Sequence, residues 1–315
     1  MAPSKESGAL KAIFTTFAAK MPQDGNPYLQ RVIYDQLQNV ASEAPDVTYE
    51  DISLPGYESG EKYRGPAKWV KPHNGSKSHI LLFMHGGGYS FGSLNSHRKM
   101  CAHFATSCNA LALMVDYRMT PEHAYPAAID DCVSAYKYLL DQGFKPENVV
   151  MIGDSCGGGL ATTVPLKAAR EGLPKPGASV ALSPWTDCAN ATSESIKSNA
   201  QNDALSAQES IDLLAERYVD AAGASRQDPL ISPIYAEEAE LKRACPPHWF
   251  SCAGHDMLLN DGTRMAKRLE KAGVEVVLKI YEGQQHVFEF MAGKAPEVDQ
   301  SISEVGEWVR KKIGS

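Results

Sequence analysis

A serine stands between two glycines in Gly153-Asp154-Ser155-Cys156-Gly157, after the apolar run Val149–Ile152 and before a helical pattern. In G-x-S-x-G the glycines allow a strand-to-helix turn so sharp that side chains there would collide with neighbouring backbone. Such a turn pushes its central residue, Ser155, out at the edge of the sheet. The bare pattern is common by chance, and the preceding strand and following helix make it specific. The chemistry this implies is attack by a serine hydroxyl on an acyl carbon. Cys156 adjoins the nucleophile, but it is not the central residue of the turn. Its expected contribution is a backbone N–H, with the thiol turned elsewhere.

A serine hydroxyl is hardly ionised at neutral pH and needs a base. Nine histidines occur, and only His248, His255 and His286 follow Ser155. With a G-x-S-x-G turn, the acid and then the histidine come later in the chain. His286 lies in Gly283-Gln284-Gln285-His286-Val287-Phe288, just past the last apolar run, where strand-end loops collect chemistry. His248, between prolines and a strand, is expected to be structural. The acid should follow the penultimate strand, which selects Asp256 in Cys252-Ala253-Gly254-His255-Asp256. Asp261 is its competitor, but it stands where a helix N-cap is expected and has a structural job there. Asp256 would hold the imidazole in the productive tautomer and stabilise the imidazolium.

His85-Gly86-Gly87-Gly88 follows the run Ile80–Met84. Its glycines let backbone N–H groups approach a substrate oxygen. Gly87, Gly88 and the N–H of Cys156 are the expected oxyanion donors, each contributing on the order of 3 kcal/mol. A phosphate loop would end in Gly-Lys-Ser/Thr, whereas Tyr89-Ser90-Phe91 follows here. His85 is expected to brace this loop. Asp154 has two readings: a carboxylate that positions the turn or a water, or one favoured at a helix start by the dipole.

These residues need a frame that brings distant loops to one edge. Val47–Leu54 and Lys62–Val70 alternate like two antiparallel strands, joined through Pro55-Gly56 and Gly60. Unbroken apolar runs follow at Ile80–Met84, Leu111–Val115, Val149–Ile152, Val180–Leu182, Trp249–Cys252 and Val276–Ile280. They suit strands buried on both faces. Between them helical spacing recurs at Ser96–Thr106, Ala127–Leu140, Gly158–Arg170, Gly262–Ala272 and Val298–Lys311. Strand alternating with helix predicts an α/β fold built on a mostly parallel eight-stranded sheet flanked by helices. The region to about Glu43 reads as helical. From 187 to 228 the rhythm breaks, with one helical pattern at Ser206–Val219. We expect one domain over 1–315, with residues 1–45 and 187–228 forming a helical cap on the sheet edge.

Composition narrows the function classes. A net charge of −7 without a basic cluster argues against nucleic acid as partner. Seven cysteines, an odd number with no C-x-x-C, fit neither a disulfide framework nor a zinc site. No apolar run has the length of a membrane span, and the first twenty residues lack a signal-peptide core. A cytoplasmic protein with reduced thiols is expected. Asn74-Gly75-Ser76 and Asn190-Ala191-Thr192 match the glycosylation pattern, which a chance match explains without a secretory signal.

The sequence resembles the hormone-sensitive-lipase-like, or family IV, carboxylesterases of the α/β-hydrolase superfamily, over nearly the whole chain from about residue 80. The resemblance rests on His85-Gly86-Gly87-Gly88-Tyr89, Asp116-Tyr117-Arg118, Pro121-Glu122-His123 leading to Pro126-Ala127-Ala128, Gly153–Gly158, Ser183-Pro184-Trp185, and Asp228-Pro229-Leu230 before Ser232-Pro233. It implies an α/β-hydrolase core with a helical cap, no metal or cofactor, and short-to-medium acyl esters, acetyl among them, as small-molecule substrates. A homodimer through the last strand or helix is implied at the same level. Two departures stand out. Cys156 replaces the family's common Ala after the nucleophile, expected to keep the N–H donor while narrowing the pocket. Asp256-Met257-Leu258 replaces Asp-Pro-Leu, which loosens the turn and keeps the carboxylate. The same machinery could act on a lactone, an amide or an acetylated natural product, or transfer the acyl group to another alcohol. A hydrolase-fold receptor would be expected to lack His286.

Overall fold

In the computed structural model the described residues are 3–22, 25–55, 65–189, 193–204 and 208–314. Eight strands form one sheet: β1 (Val47–Ser53), β2 (Pro66–Pro72), β3 (Ser76–Met84), β4 (Ala110–Val115), β5 (Val149–Asp154), β6 (Ala178–Leu182), β7 (His248–Ala253) and β8 (Val276–Tyr281). Their order is β1-β2-β4-β3-β5-β6-β7-β8. β2 pairs antiparallel with both β1 and β4, and every other pairing is parallel.

The helices are α1 (Lys5–Ala18), α2 (Pro27–Tyr34), α3 (Leu94–Ser107), α4 (Ala127–Asp141), α5 (Cys156–Arg170), α6 (Ser195–Ser198), α7 (Gln208–Tyr218), α8 (Glu238–Ala244), α9 (Leu259–Lys271) and α10 (Pro296–Ile313). Alternation along β3 shows how they bury the sheet. Leu81 and Phe83 face one layer with Phe104 of α3 and Val305 of α10. Ile80, Leu82 and Met84 face the other, with Ile129 of α4 and Leu160 of α5. All five are fully buried. An apolar run with no polar alternation is what a strand covered on both faces requires.

Several boundaries move, each for a local reason. The described second strand is Pro66–Pro72, ending past the expected Val70, its register fixed by Val47↔Pro72 and Ser53↔Pro66. α5 begins at Cys156 rather than Gly158, because the turn at Ser155 feeds straight into it. α9 begins at Leu259, so Asp261 is inside its first turn and is not its N-cap. The turn expected at Gly56 and Gly60, the strand start at Lys62, the glycosylation pattern at 190–192 and the helix start at Ser206 lie outside the described residues.

The parallel strands deliver their carboxyl ends to one edge. Met84 leads to His85, Asp154 to Ser155, Ala253 to Asp256 and Tyr281 to His286. Loops at that edge can therefore meet although they are far apart in sequence.

Candidate active site

The turn at Ser155 is held by contacts that only glycine permits. Ser155 has φ 53° and ψ −121°, a backbone region unfavourable for any residue with a side chain. A Cβ on Gly157 would overlap the Met84 carbonyl, and one on Gly153 would overlap the carbonyls of Met84 and Gly157. The strain is held by hydrogen bonds: Ser155 N–H donates to Leu182 O at 2.8 Å, and Trp185 N–H donates to Ser155 O at 2.9 Å. With the backbone fixed this way, the half-buried Ser155 side chain reaches a cavity of about 590 Å³.

His286 lines the same cavity. Its Nδ1 meets Asp256 Oδ2 at 2.8 Å, while the other carboxylate oxygen, Oδ1, accepts the Leu258 N–H at 2.7 Å. Asp256 is fully buried and His286 nearly so. Burial by itself would lower the imidazole's pKa. The Asp256 charge and hydrogen bond, helped by Asp203 and Asp154, outweigh it and raise the pKa to about 9. A carboxylate at Nδ1 keeps the proton there and leaves the Nε2 lone pair free. The His286 loop is itself braced, since Val287 N–H donates to Ser183 Oγ at 3.1 Å and Val287 holds φ 48°.

The competitor acid does something else. Asp261 Oδ2 accepts the N–H groups of Thr186 and Asp187, both at 2.9 Å. Burial, then the nearby Asp187 charge, pushes its carboxyl up to about 8. It thus anchors the chain after β6 from inside α9, a different structural job from the helix cap expected. His248 is buried in β7 with Nδ1 on Pro246 O at 2.7 Å, and burial lowers its pKa to about 4. His255 is tied by its N–H to Gln284 O at 3.0 Å.

The glycine loop leans on Ser155's neighbour. Asp154 Oδ1 accepts the Gly86 N–H at 3.0 Å, and its Oδ2 lies 3.3 Å from His97 Nε2. The Gly86 contact ties the serine turn to the glycine loop, and the His97 contact, which comes from α3, is marked by no motif in the sequence. Gly86 N–H is thereby committed, while Gly87 and Gly88, at φ 115° and 58°, border the cavity. His85 Nδ1–H donates to Gly86 O at 2.8 Å, and its ring stacks on Tyr117 at 4.3 Å. Burial, with His97 adding to it, pulls the His85 pKa down to about 3, so the ring is a neutral brace at ordinary pH.

Cys156 corrects one expectation. Its side chain is fully buried and does not border the cavity, so it narrows nothing there. Its Sγ takes the Tyr89 N–H at 3.4 Å and lies 3.6 Å from Tyr117 Oη. Burial raises the thiol to about 12, far from a thiolate nucleophile at neutral pH.

Two segments far from these motifs complete the walls. Phe17 and Met21 come from the N-terminal region, and Ile211, Leu214 and Arg217 from α7. A Cβ on Gly88 would overlap the Leu214 side chain, so α7 sits directly on the glycine loop. Sequence reasoning did not single out Asn199, whose Nδ2 donates to Gly254 O and Asp256 O at 3.1 and 2.8 Å. Nor did it single out Asp203, which accepts the Met257 N–H at 3.0 Å. Both brace the Asp256 loop from the mid-chain segment, where no motif marked them.

Residues 81–290 match the α/β hydrolase fold family. The chain is 31% identical over 282 residues to an esterase of Acinetobacter venetianus, covering 90% of this chain and 88% of that protein. It is 30% identical over 293 residues to an acetyl-hydrolase of Streptomyces hygroscopicus, covering 93% and 92% respectively. An esterase structure from the bacterial hormone-sensitive lipase family superposes with a TM-score of 0.90 at 32% identity, over the full length of both chains. The eight-stranded frame, the glycine loop facing the serine turn, and these relatives lead to one assignment: the chain belongs to the hormone-sensitive-lipase-like esterases of the α/β-hydrolase fold.

Proposed function

We propose that this carboxylic-ester hydrolase works through an acyl-Ser155 intermediate, with His286 as base and Asp256 as its orienting acid. His286 Nε2 takes the hydroxyl proton as Ser155 Oγ attacks the ester carbonyl. The N–H groups of Gly87, Gly88 and Cys156 hold the oxyanion. The imidazolium returns its proton to the departing alcohol, and water then deacylates the serine by the same route. The observation that carries this mechanism is the 2.8 Å Asp256–His286 contact beside the strained Ser155, with base and nucleophile bordering one cavity.

The residues to 45 and from 187 to 228 act as a cap on a single domain. Supporting this, Phe17, Met21 and Leu214 line the cavity that Gly88 and Ser155 also border, and Leu214 packs on Gly88. Substrates are small esters of short-to-medium acyl chains, acetyl included. A cavity of about 590 Å³ with largely apolar walls suits that size, and one relative is named an acetyl-hydrolase. The seven free, buried thiols fit a reducing compartment, the cytoplasm, and no described helix is long and apolar enough to cross a membrane. β8, at the sheet edge with Ile280 exposed, is the strand through which a homodimer would form.

Hydrolysis of p-nitrophenyl esters from acetate to decanoate, by the native protein and by Ser155→Ala, tests the mechanism. Activity confined to the native protein is expected, falling off at the longer chains. Equal activity of the two proteins would remove Ser155 from the mechanism. Inactivity on every ester would turn attention to lactones and amides.

A further inference from the structure

The cavity walls are mainly apolar, and among the described residues one arginine stands among them. Arg217 of α7 lines the cavity and is partly buried. Its Nη2–H donates to Gly25 O at 2.7 Å and its Nη1–H to Gln30 Oε1 at 3.3 Å. Both partners are neutral, and Arg217 makes no ion pair among the described residues. Burial lowers its pKa with no carboxylate acting against it. Every other arginine for which a pKa shift is resolved, Arg98, Arg170 and Arg226, has an acid partner that raises it. A partly buried guanidinium that meets no carboxylate among the described residues loses some hydration, which a bound anion would offset.

Its position relative to the reacting centre follows from helix geometry. Leu214 packs on Gly88, and Arg217 is three residues further along the same helix. That spacing places the two on neighbouring positions of one face, about 4.5 Å apart along the axis. Two neutral acceptors from the N-terminal region hold the guanidinium at its Nη ends, and Nε–H and the other Nη protons meet no acceptor among the described residues. The acid nearest along α7 that borders the cavity is Glu209, which is exposed and lies about 12 Å earlier along the helix axis.

We propose that Arg217 is a specificity-determining residue for esters that carry a carboxylate, which it binds roughly one helical turn beyond the oxyanion loop. The inference rests on the ester-hydrolase mechanism above and adds the class of substrate. An Arg–carboxylate contact is charge-assisted, and a two-toothed contact adds geometric selectivity to it.

The test compares anionic esters with neutral ones of matched shape. Monoethyl succinate is set against ethyl pentanoate, with the charge on the acyl side. Acetoxyacetate is set against propyl acetate, with the charge on the alcohol side. The readout is the ratio of kcat/KM, anionic over neutral, for the native protein, Arg217→Lys and Arg217→Gln. In the native protein at least one pair should favour the anion by about tenfold or more, as a charge-assisted hydrogen bond allows. That ratio should fall about tenfold or more in Arg217→Gln through KM, and Arg217→Lys should keep part of it. Added salt should erode the native preference. Native ratios at or below one for both pairs, with neutral esters still hydrolysed, would overturn this inference and leave the esterase mechanism standing. An equal fall on both members of a pair in Arg217→Gln would overturn it too. p-Nitrophenyl acetate is the control: a native protein active on it but on none of the four esters overturns this inference alone, and one inactive on it as well removes the mechanism.

Discussion

Asp256→Asn isolates the tautomer of His286 while changing almost no volume. In the native site Oδ2 faces Nδ1 at 2.8 Å, and Oδ1 accepts the Leu258 N–H at 2.7 Å. In the variant the amide oxygen keeps the Leu258 bond, so its NH₂ must face His286. An NH₂ group donates, so Nδ1 becomes the acceptor and the proton moves to Nε2, where it blocks abstraction from Ser155. The expected loss in kcat is on the order of 10⁴-fold, or about 5 kcal/mol of transition-state stabilisation. The pH profile should change with it. The base must be neutral, and with Asp256 present its pKa is raised to about 9, so native kcat/KM should fall as pH drops below that value. Without the Asp256 charge, burial dominates and the acid limb should move to lower pH. The assay is hydrolysis of a short p-nitrophenyl ester from pH 5 to 10, corrected for spontaneous hydrolysis, with the near-UV circular dichroism spectrum as a check on folding. Activity within tenfold of native, or an acid limb that stays in place, would refute the assignment of Asp256.

Four further outcomes follow from the same geometry. Ser155→Ala should lower kcat by on the order of 10⁶-fold, whereas Cys156→Ala should stay within about tenfold because the donor is backbone; ester kinetics on both variants decide it, and a dead Cys156→Ala would contradict the buried placement of the thiol. Gly88→Ala forces a side chain at φ 58° into Leu214 and should cost about 1–3 kcal/mol of stability. The volume part of that loss should return in Gly88→Ala/Leu214→Ala, as read by thermal melts, and no return would mean that Leu214 is not the obstacle. Asp154→Asn should weaken the tie to His97 and lower kcat with little change in KM, and an unchanged kcat would show the tie to be dispensable. Because His286 is raised above its unfolded pKa of about 6.5, its stabilisation is full below that pH. It should disappear as pH rises through about 9, amounting to at most about 3 kcal/mol, in denaturant melts of Ser155→Ala. A flat profile across that window would show the pair to be uncoupled from folding.

Much of this protein is determined by its sequence alone. Five of the six apolar runs become buried strands, whereas Val276–Ile280, expected to be covered on both faces, forms the edge strand β8 with half-buried and exposed residues, because no further strand packs beside it. Gly153 and Gly157 flank a residue that must take φ near 53°, so Ser155 is legible without coordinates. His286 and Asp256 follow from chain order, since a parallel sheet brings its strand ends to one edge. Local rules stop where partners come from elsewhere in the chain. Asp261 reads as a helix cap from its neighbours, yet it turns to the amides of Thr186 and Asp187, about 75 residues away in sequence. The turn already directs the thiol of Cys156 away from the substrate, but only the packing of Tyr89 and Tyr117 around it shows where it goes and that it does not narrow the cavity. Asp154 meets both the Gly86 amide and a histidine on α3, and Arg217 reaches the cavity because α7 lies on the glycine loop. Backbone demands at a turn are short-range and are written in neighbouring residues. The direction of a buried side chain, and the charges a cavity presents, are set by which elements pack together, and that is decided only in the tertiary structure.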